Sequence, residues 1–160
     1  MKKYCLILAL LMLLTGCSAA ETYETLGDID MTPVLQEERN VVVTVEEGAQ
    51  QIRGESGTIY LCDGYTVTVE VLTGGNISAT FQSLTGFGVD DLTVIETSVG
   101  DVGRFECVWT AAGEGGDSIG RAAVLDDGAY HYCITVQSAA NDAAALQMTW
   151  QEIFDSFRLA

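Results

Sequence analysis

Alternating apolar and polar residues predict a β-hairpin near the middle of the chain. From Tyr65 to Val71, tyrosine and valine occupy every second position, with threonine or glutamate between them. A period of two is typical of a strand with one buried and one exposed face. Thr58 to Cys62 forms a second strand-like run, and the intervening Asp63-Gly64 pair predicts a two-residue turn of type I′. In this register Cys62 lies on the apolar face of the hairpin.

Apolar residues three and four positions apart predict two helices. The shorter helix runs from Ile77 to about Thr85, with Asn76 as its N-cap and Gly86 as the residue that ends it. The longer helix begins after Asn141 or Asp142, either of which can cap it. Its apolar stripe, which is expected to dock on a sheet, consists of Leu146, Trp150, Ile153, Phe154 and Phe157.

A three-stranded meander is predicted between these two helices. Its first strand begins at Arg104, Ile119 to Leu125 forms the second, and Asp127-Gly128 turns the chain into Tyr130 to Val136. With this turn, Leu125 lies opposite Tyr130. One face of the first strand carries three residues of the expected core: Phe105, Cys107 and Trp109.

Two further segments have the composition of strands. Arg39 to Glu47 is rich in valine and predicts the first strand, which is followed by a glycine-rich polar loop through Gly57. Asp90 to Thr97 predicts another strand before the meander. Together these elements predict a single α+β domain over residues 34–160, with helices packed against an antiparallel sheet.

The N-terminal segment has the pattern of a cleaved export signal. Lys2 and Lys3 precede an apolar run from Tyr4 to Leu14, which is shorter than the about 20 residues that a transmembrane helix needs. Leu14-Thr15-Gly16-Cys17 ends this run and resembles the lipobox of bacterial lipoproteins. The alternatives are an ordinary secretory peptide cut near its small residues, or a buried helix of a cytosolic protein.

The lipobox resemblance implies a location for the protein. In bacterial lipoproteins the thiol at the position of Cys17 carries a diacylglycerol, and the preceding residues, here 1–16, are removed as a signal peptide. Two acyl chains give stable membrane residence, whereas one chain binds only marginally. Residues 17–33 are acidic and contain the only proline, so they are expected to form a tether. The domain would then face the extracytoplasmic side of the cell membrane or the outer membrane.

Charge narrows the range of partners. Without residues 1–16 the chain has no lysine, and five arginines stand against 23 carboxylates, a formal charge of −18. Nucleic acids bind clustered Lys and Arg, so a nucleic-acid partner is excluded. The acidity permits a cationic partner or divalent cations, and it is also typical of an exported surface kept soluble by self-repulsion.

Three cysteines follow the anchor and permit at most one internal disulfide. Cys107 and Cys133 would lie two strands apart in the meander, at roughly 9–10 Å. A disulfide needs about 4.4–6.8 Å between Cα atoms, so these two are not expected to bond. Cys62 could form a disulfide with one of them in an oxidising compartment. Otherwise all three cysteines are buried thiols.

The C-terminal half resembles the PsbP/DcrB-like families. The resemblance rests on Trp150 to Leu159 (WQEIFDSFRL), which follows a meander containing Gly120-Arg121-Ala122 and Asp127-Gly128-Ala129-Tyr130. It covers roughly residues 92–159, and no counterpart of the families' aromatic, proline-containing opening is found before it. The resemblance implies an α/β/α sandwich, and several bacterial members of these families are lipoproteins. The photosystem role of the plant members does not carry over, because none of their partner-binding residues is matched.

Candidate chemistry centres on four residues. His131 is the only histidine, and it shares a strand face with Cys133, as a nucleophile or metal pair would. The competing interpretation is a half-buried strand face, because zinc needs two more ligands that no spacing supplies. Asp126 and Asp127 could act as an acid and a base or bind calcium, but adjacent residues of a strand point to opposite faces. We therefore assign no catalytic residue, metal ligand or cofactor.

The leading functional hypothesis is a lipid-anchored, extracytoplasmic, non-catalytic module that binds an unknown protein or envelope component. The alternative is a lipoprotein that binds a small molecule or a divalent cation in an acidic cleft. An enzyme centred on His131 is the third hypothesis.

Overall fold

The computed structural model describes residues 36–160. The lipobox at Leu14 to Cys17, the signal peptide and the tether lie outside these residues. Within the described part of the chain, no helix has the length and apolar character needed to cross a membrane.

Between residues 36 and 160, nine strands form two antiparallel sheets. The larger sheet has seven strands in the order β2-β3-β4-β8-β7-β6-β5, and the smaller pairs β1 with β9. The strands are β1 (Val41–Val42), β2 (Gln50–Arg53), β3 (Gly57–Leu61), β4 (Tyr65–Thr73), β5 (Ile95–Val99), β6 (Val102–Ala111), β7 (Ser118–Asp126), β8 (Tyr130–Ala139) and β9 (Arg158–Leu159).

One helix covers each face of the large sheet. Helix α1 (Ile77–Thr85) packs on one face, and helix α2 (Ala143–Ser156) packs on the other. Short 3-10 turns at Val89–Asp91 and Ala140–Asp142 precede β5 and α2. The predicted α+β class and the α/β/α layering are confirmed.

The core has two parts because the sheet buries both of its faces. On the α2 side, Trp150, Ile153, Phe154 and Phe157 of the predicted stripe contact Tyr132 and its neighbours on the central strands. On the α1 side, Phe81 packs on a cluster formed by Phe105, Cys107, Trp109, Ala122, Val124 and Cys133. Side chains of β7 and β8 alternate between these two clusters, as the period of two requires.

The predicted bounds of helix α1 are confirmed. The side chain of Asn76 accepts a hydrogen bond from the backbone N–H of Ser78, and Gly86 ends the helix with φ of 80°. At α2 the prediction is only partly right. Asp142 occupies the N-cap position but makes no capping hydrogen bond with its side chain.

The β3–β4 hairpin has the predicted register but a different turn. Tyr60 pairs with Val67, and the N–H of Cys62 donates to the carbonyl of Tyr65. Gly64 has φ of 79°, whereas no residue other than glycine in the described segment has positive φ. A type I′ turn needs positive φ at both central residues, so that assignment of Asp63-Gly64 is wrong.

The predicted register of β7 with β8 is wrong by two residues. Leu125 pairs with Tyr132, and Asp126 pairs with His131. Gly128 has φ of 90° and is the first central residue of the turn, so the turn lies one residue later than predicted. A shift of two keeps every side chain on its predicted face, which is why the core assignment survives.

Three predicted segments are shorter or differently built in the structure. The strand expected over 39–47 is only Val41–Val42, and the polar loop after it contains the exposed edge strand Gln50–Arg53. The strand expected over 90–97 begins only at Ile95, because Val89–Asp91 forms a 3-10 turn. Each of these strands pairs with a single neighbour, so fewer backbone hydrogen bonds hold it in a strand conformation.

Candidate binding site

His131 is fully buried rather than half-buried. Its side chain is 1% exposed, and Nδ1 lies 2.7 Å from the hydroxyl of Thr80 on helix α1. Nε2 lies 3.8 Å from a carboxylate oxygen of Asp126 and has no hydrogen-bond partner among residues 36–160. Asp126, His131 and Thr80 thus form a row of acid, imidazole and hydroxyl that joins the sheet to helix α1.

Cys133 is buried on the same face as His131, as predicted, but its thiol is unsuited to nucleophilic attack. Burial raises the pKa of Cys133 to about 12 and that of Cys107 to about 11. A neutral thiol is neither a nucleophile nor a metal ligand at ordinary pH. Both cysteines are free, so the prediction that they do not bond to each other is confirmed.

Asp126 and Asp127 organise the β7–β8 turn. The side chain of Asp126 accepts a hydrogen bond from the N–H of Gly128 at 2.8 Å. One carboxylate oxygen of Asp127 accepts from the N–H groups of Ala129 and Tyr130, at 3.0 and 2.9 Å. No group of three or more histidine, cysteine or acidic side chains suited to a metal ion occurs in residues 36–160.

The second oxygen of Asp127 links this turn to Arg39. It accepts a hydrogen bond from the hydroxyl of Tyr132 at 3.0 Å, and that hydroxyl accepts from the backbone N–H of Arg39 at 2.9 Å. Burial raises the pKa of Asp127, but the hydrogen bonds from Tyr130, Ala129 and Tyr132 and the charge of Arg39 outweigh it and hold the pKa below its usual range. The turn therefore fixes the backbone at Arg39.

Arg39 lies between two cavities. The first, which we name the hairpin cleft, has a volume of about 400 Å³ and lies between residues 38–43 and strands β2 to β4. It is lined by charged residues of both signs, among them Arg39, Arg53, Glu55 and Glu70. Burial raises the pKa of Glu70.

The second cavity, which we name the C-terminal cavity, is smaller and more apolar. Its volume is about 300 Å³. Three arginines and five apolar residues line it: Arg39, Arg104, Arg158, Val99, Val102, Leu125, Phe157 and Leu159. Residues 36–160 contain five arginines and no lysine, so most of their positive side chains meet at this cavity.

Pairing of the two chain segments next to this cavity brings the arginines together. Val41 pairs with Leu159, and the N–H of Ala160 donates to the carbonyl of Asn40 at 2.8 Å. These contacts hold the segment that begins at Arg39 alongside β9, which contains Arg158.

Arg104 forms the floor of the C-terminal cavity and is already satisfied. Its guanidinium donates to the carbonyls of Phe154 and Phe157, both at 2.9 Å, and to Glu106. These carbonyls lie at the C-terminus of α2, where the helix dipole favours a cation. Burial raises the pKa of Glu106, but hydrogen bonds from Arg121 and Arg104 outweigh it and hold the pKa below its usual value.

Arg39 and Arg158 form no direct ion pair within residues 36–160, although the charge of Arg39 acts on nearby Asp127. Within residues 36–160 the guanidinium of Arg39 makes no hydrogen bond, and Arg158 makes one, to the carbonyl of Ser156 at 3.2 Å. This site was not predicted from the sequence, because its three arginines are more than 50 residues apart in the chain. Their scarcity in an acidic chain was the only available signal.

Comparison with solved structures shows the fold. LpqN of Mycobacterium tuberculosis, described as involved in cell envelope biogenesis, matches with a TM-score of 0.51 at 11% identity, over 77% of this chain and 84% of LpqN. A protein from Bacteroides thetaiotaomicron matches with a TM-score of 0.46 at 9% identity, over 69% of this chain and 41% of that protein. Protein PA94 of Pseudomonas aeruginosa has a TM-score of 0.46 at 7% identity, over 78% of this chain and 85% of its own.

Sequence comparison adds no relative. No protein-family model and no curated protein sequence matches the chain. The resemblance to the PsbP/DcrB-like families therefore stays a prediction, and the result that stands is that the chain shares the fold of LpqN.

Proposed function

We propose that the chain is a lipid-anchored, extracytoplasmic, non-catalytic module of the bacterial cell envelope that binds an anionic envelope component next to Arg39. The observation that carries the proposal is the meeting of Arg39, Arg104 and Arg158 at one apolar cavity in a strongly acidic chain. Arginine is the side chain best suited to bind carboxylate and phosphate groups.

The proposed location rests on two independent features. The sequence from Leu14 to Cys17 resembles a lipobox and would place two acyl chains on the mature N-terminus. The fold is shared with LpqN, which is described as involved in cell envelope biogenesis.

The proposed lack of catalysis rests on the burial of the candidate groups. His131 is 1% exposed and Thr80 is 7% exposed, so a substrate cannot reach their contact without movement of helix α1. The thiol of Cys133 is completely buried, and its pKa is raised by that burial. The burial of these groups is better explained by a structural role in packing helix α1 on the sheet than by a role in catalysis.

An anionic ligand fits this chain better than the divalent-cation alternative. An acidic protein repels anions at long range, so an anion must be held by local, partly desolvated arginines. The C-terminal cavity provides such a side chain in Arg39, which is half-buried, and Arg158 adds an exposed guanidinium beside it. No acidic cluster of comparable geometry supports a divalent cation within residues 36–160.

The anchor is tested by fractionating cells that express the native chain, Cys17→Ser or Cys62→Ser. The matched control, Cys62→Ser, also removes a thiol but leaves the lipobox intact. We expect the native chain and Cys62→Ser to be found in the membrane fraction and to incorporate a fatty-acid label. Cys17→Ser should neither enter the membrane fraction nor incorporate the label. Label and membrane residence that persist in Cys17→Ser would refute the proposed anchor.

The envelope contact is tested by crosslinking in cells followed by affinity purification of the same three proteins. We expect one anionic envelope component to be enriched with the native chain and Cys62→Ser, and to be reduced with Cys17→Ser. Equal enrichment with all three proteins would contradict an interaction that depends on membrane residence.

A further inference from the structure

We propose that the C-terminal cavity binds an amphipathic anion, a single acyl chain that ends in a carboxylate or phosphate group. This inference deepens the proposed function and rests on it. In the proposed complex the acyl chain lies on the apolar lining, and the acidic group lies between Arg39 and Arg158.

The apolar part of the cavity is only partly covered by the described chain, because Val102 and Leu159 in its lining are half-buried. Leu125 and Phe157 also line it, but they are buried at 6% and 1% exposure and leave little surface for a ligand. Val99 lines the same cavity and is 79% exposed on the edge strand β5. A concave, largely apolar lining with a few polar groups is typical of a ligand site.

The polar part offers free donors next to this surface. The guanidinium of Arg104 donates hydrogen bonds to the carbonyls of Phe154 and Phe157 and to the carboxylate of Glu106. Its role is therefore to shape the cavity more than to bind a ligand. Arg39 and Arg158 have donors left within residues 36–160, and either guanidinium can bind a carboxylate or phosphate with two parallel hydrogen bonds. The backbone of Arg39 is held by Tyr132, which lowers the entropy lost when the site fills.

Volume decides between one acyl chain and two. The cavity of about 300 Å³ lies at the lower end of the about 300–1,000 Å³ that is usual for small-molecule sites. It therefore suits one chain of medium length and not a complete diacyl lipid.

The two parts of the cavity together exclude simpler ligands. A small hydrophilic anion would leave the apolar lining exposed, and a neutral alkane derivative would leave two arginines without an acceptor. A cationic amphiphile would place like charges together at Arg39 and Arg158. Affinity should therefore require both the chain and the negative charge.

Isothermal titration of the unlipidated full-length mature chain, Cys17→Ser, tests this requirement. The probes are decanoate and decyl phosphate, with decanol, decyltrimethylammonium, acetate and inorganic phosphate as comparisons, all below their micellar concentrations. We expect decanoate or decyl phosphate to bind at least about tenfold more tightly than every comparison, about 1.4 kcal/mol. Preference for decanoate would indicate a free fatty acid, and preference for decyl phosphate a phosphate-bearing lipid.

Charge-neutral variants then locate the site. Arg39→Gln and Arg158→Gln should each weaken binding of the preferred probe about tenfold, and Val99→Ser should weaken it a few-fold. The matched control is Arg53→Gln, because Arg53 lines only the hairpin cleft and should leave affinity unchanged. Thermal unfolding of each variant separates loss of the site from loss of the fold.

Three outcomes would overturn the inference. They are equal binding of decanol or the cationic amphiphile, no measurable binding of either anionic probe, and an Arg53→Gln effect as large as that of Arg39→Gln. Loss of membrane residence with probe binding intact refutes the proposed function alone. Normal residence without probe binding refutes only this inference.

Discussion

Replacing Arg104 with methionine should loosen the docking of helix α2 and deform the floor of the C-terminal cavity. The guanidinium of Arg104 contacts the C-terminal carbonyls of Phe154 and Phe157 and the carboxylate of Glu106. It also lies 5.8 Å from the centre of the Phe157 ring. Methionine preserves much of the apolar stem and removes every donor, so the variant isolates the contribution of these hydrogen bonds.

The expected loss follows from the number and burial of these contacts. A hydrogen bond with a charged partner contributes about 1.5–3 kcal/mol to the free energy of unfolding. The Arg104 side chain is 20% exposed, which favours the lower end of that range. Two carbonyl contacts then correspond to a loss of about 3 kcal/mol, and for a domain of this size to a fall in Tm of roughly 10 °C.

Urea unfolding followed by tryptophan fluorescence measures this loss. Arg104→Lys should be intermediate, because one ammonium cannot span two carbonyls and a carboxylate as the planar guanidinium does. Arg53→Met is the matched control, since Arg53 is exposed and makes no hydrogen bond from its side chain within the described residues. A loss below about 1 kcal/mol in Arg104→Met, or full stability in Arg104→Lys, would refute the reasoning.

Three further variants test other parts of the fold. Gly120→Ala places a Cβ against the indole ring of Trp109 and should destabilise the domain by about 1–3 kcal/mol in urea unfolding. Glu70→Gln should raise the urea midpoint at pH 7 but not at pH 3. Burial raises the folded-state pKa of Glu70, so its destabilising effect develops as pH rises through the unfolded pKa and is complete above the folded pKa. Tyr132→Phe removes the hydroxyl that holds Arg39 and should lower stability by about 1–3 kcal/mol and weaken binding of the anionic probe.

Each of these variants has a matched control. Gly115→Ala meets no atom within 4 Å and should leave stability unchanged, so an equally stable Gly120→Ala would contradict the predicted clash. Glu55→Gln alters an exposed carboxylate of the same cleft, and an equal gain from it would show that burial of Glu70 is not the cause. Tyr130→Phe removes a hydroxyl that makes no hydrogen bond in the described residues. An equal loss from it would contradict the assigned role of the Tyr132 hydroxyl.

The sequence predicted the buried elements well because burial imposes a period. Helix α1 has both predicted bounds, and the stripe of α2 packs as expected, since each needs one continuous apolar face. The edge strand Gln50–Arg53 escaped prediction because all its side chains are exposed and only backbone hydrogen bonds to β3 define it. The predicted β7–β8 register was wrong because Asp127 is not a central residue of the turn. Its carboxylate instead accepts three hydrogen bonds, from Ala129, Tyr130 and Tyr132.

The candidate site was beyond the reach of local patterns. Arg39, Arg104 and Arg158 come from the first described segment, strand β6 and the last short strand, and only tertiary pairing brings them together. In contrast, His131 attracted attention as the only histidine, and the structure places it in the core beneath helix α1. The single histidine and the few arginines were both notable because they are rare in this sequence. Only the three-dimensional arrangement shows that the arginines, and not His131, line a cavity.

The order of the strands has a consequence for how the protein folds. Strands β2 to β4 form one local meander and β5 to β8 form another, and a single antiparallel pairing joins them, from Tyr65 with Ser138 to Thr73 with Tyr130. Within each meander the partners are close in sequence, whereas this seam must close a long loop, and the entropy of loop closure slows such a step. Each meander can therefore form early, and the seam should form late. The hairpin cleft, which lies between residues 38–43 and strands β2 to β4, should therefore be completed only when β4 pairs with β8, whereas the C-terminal cavity has no lining residue from β2 to β4.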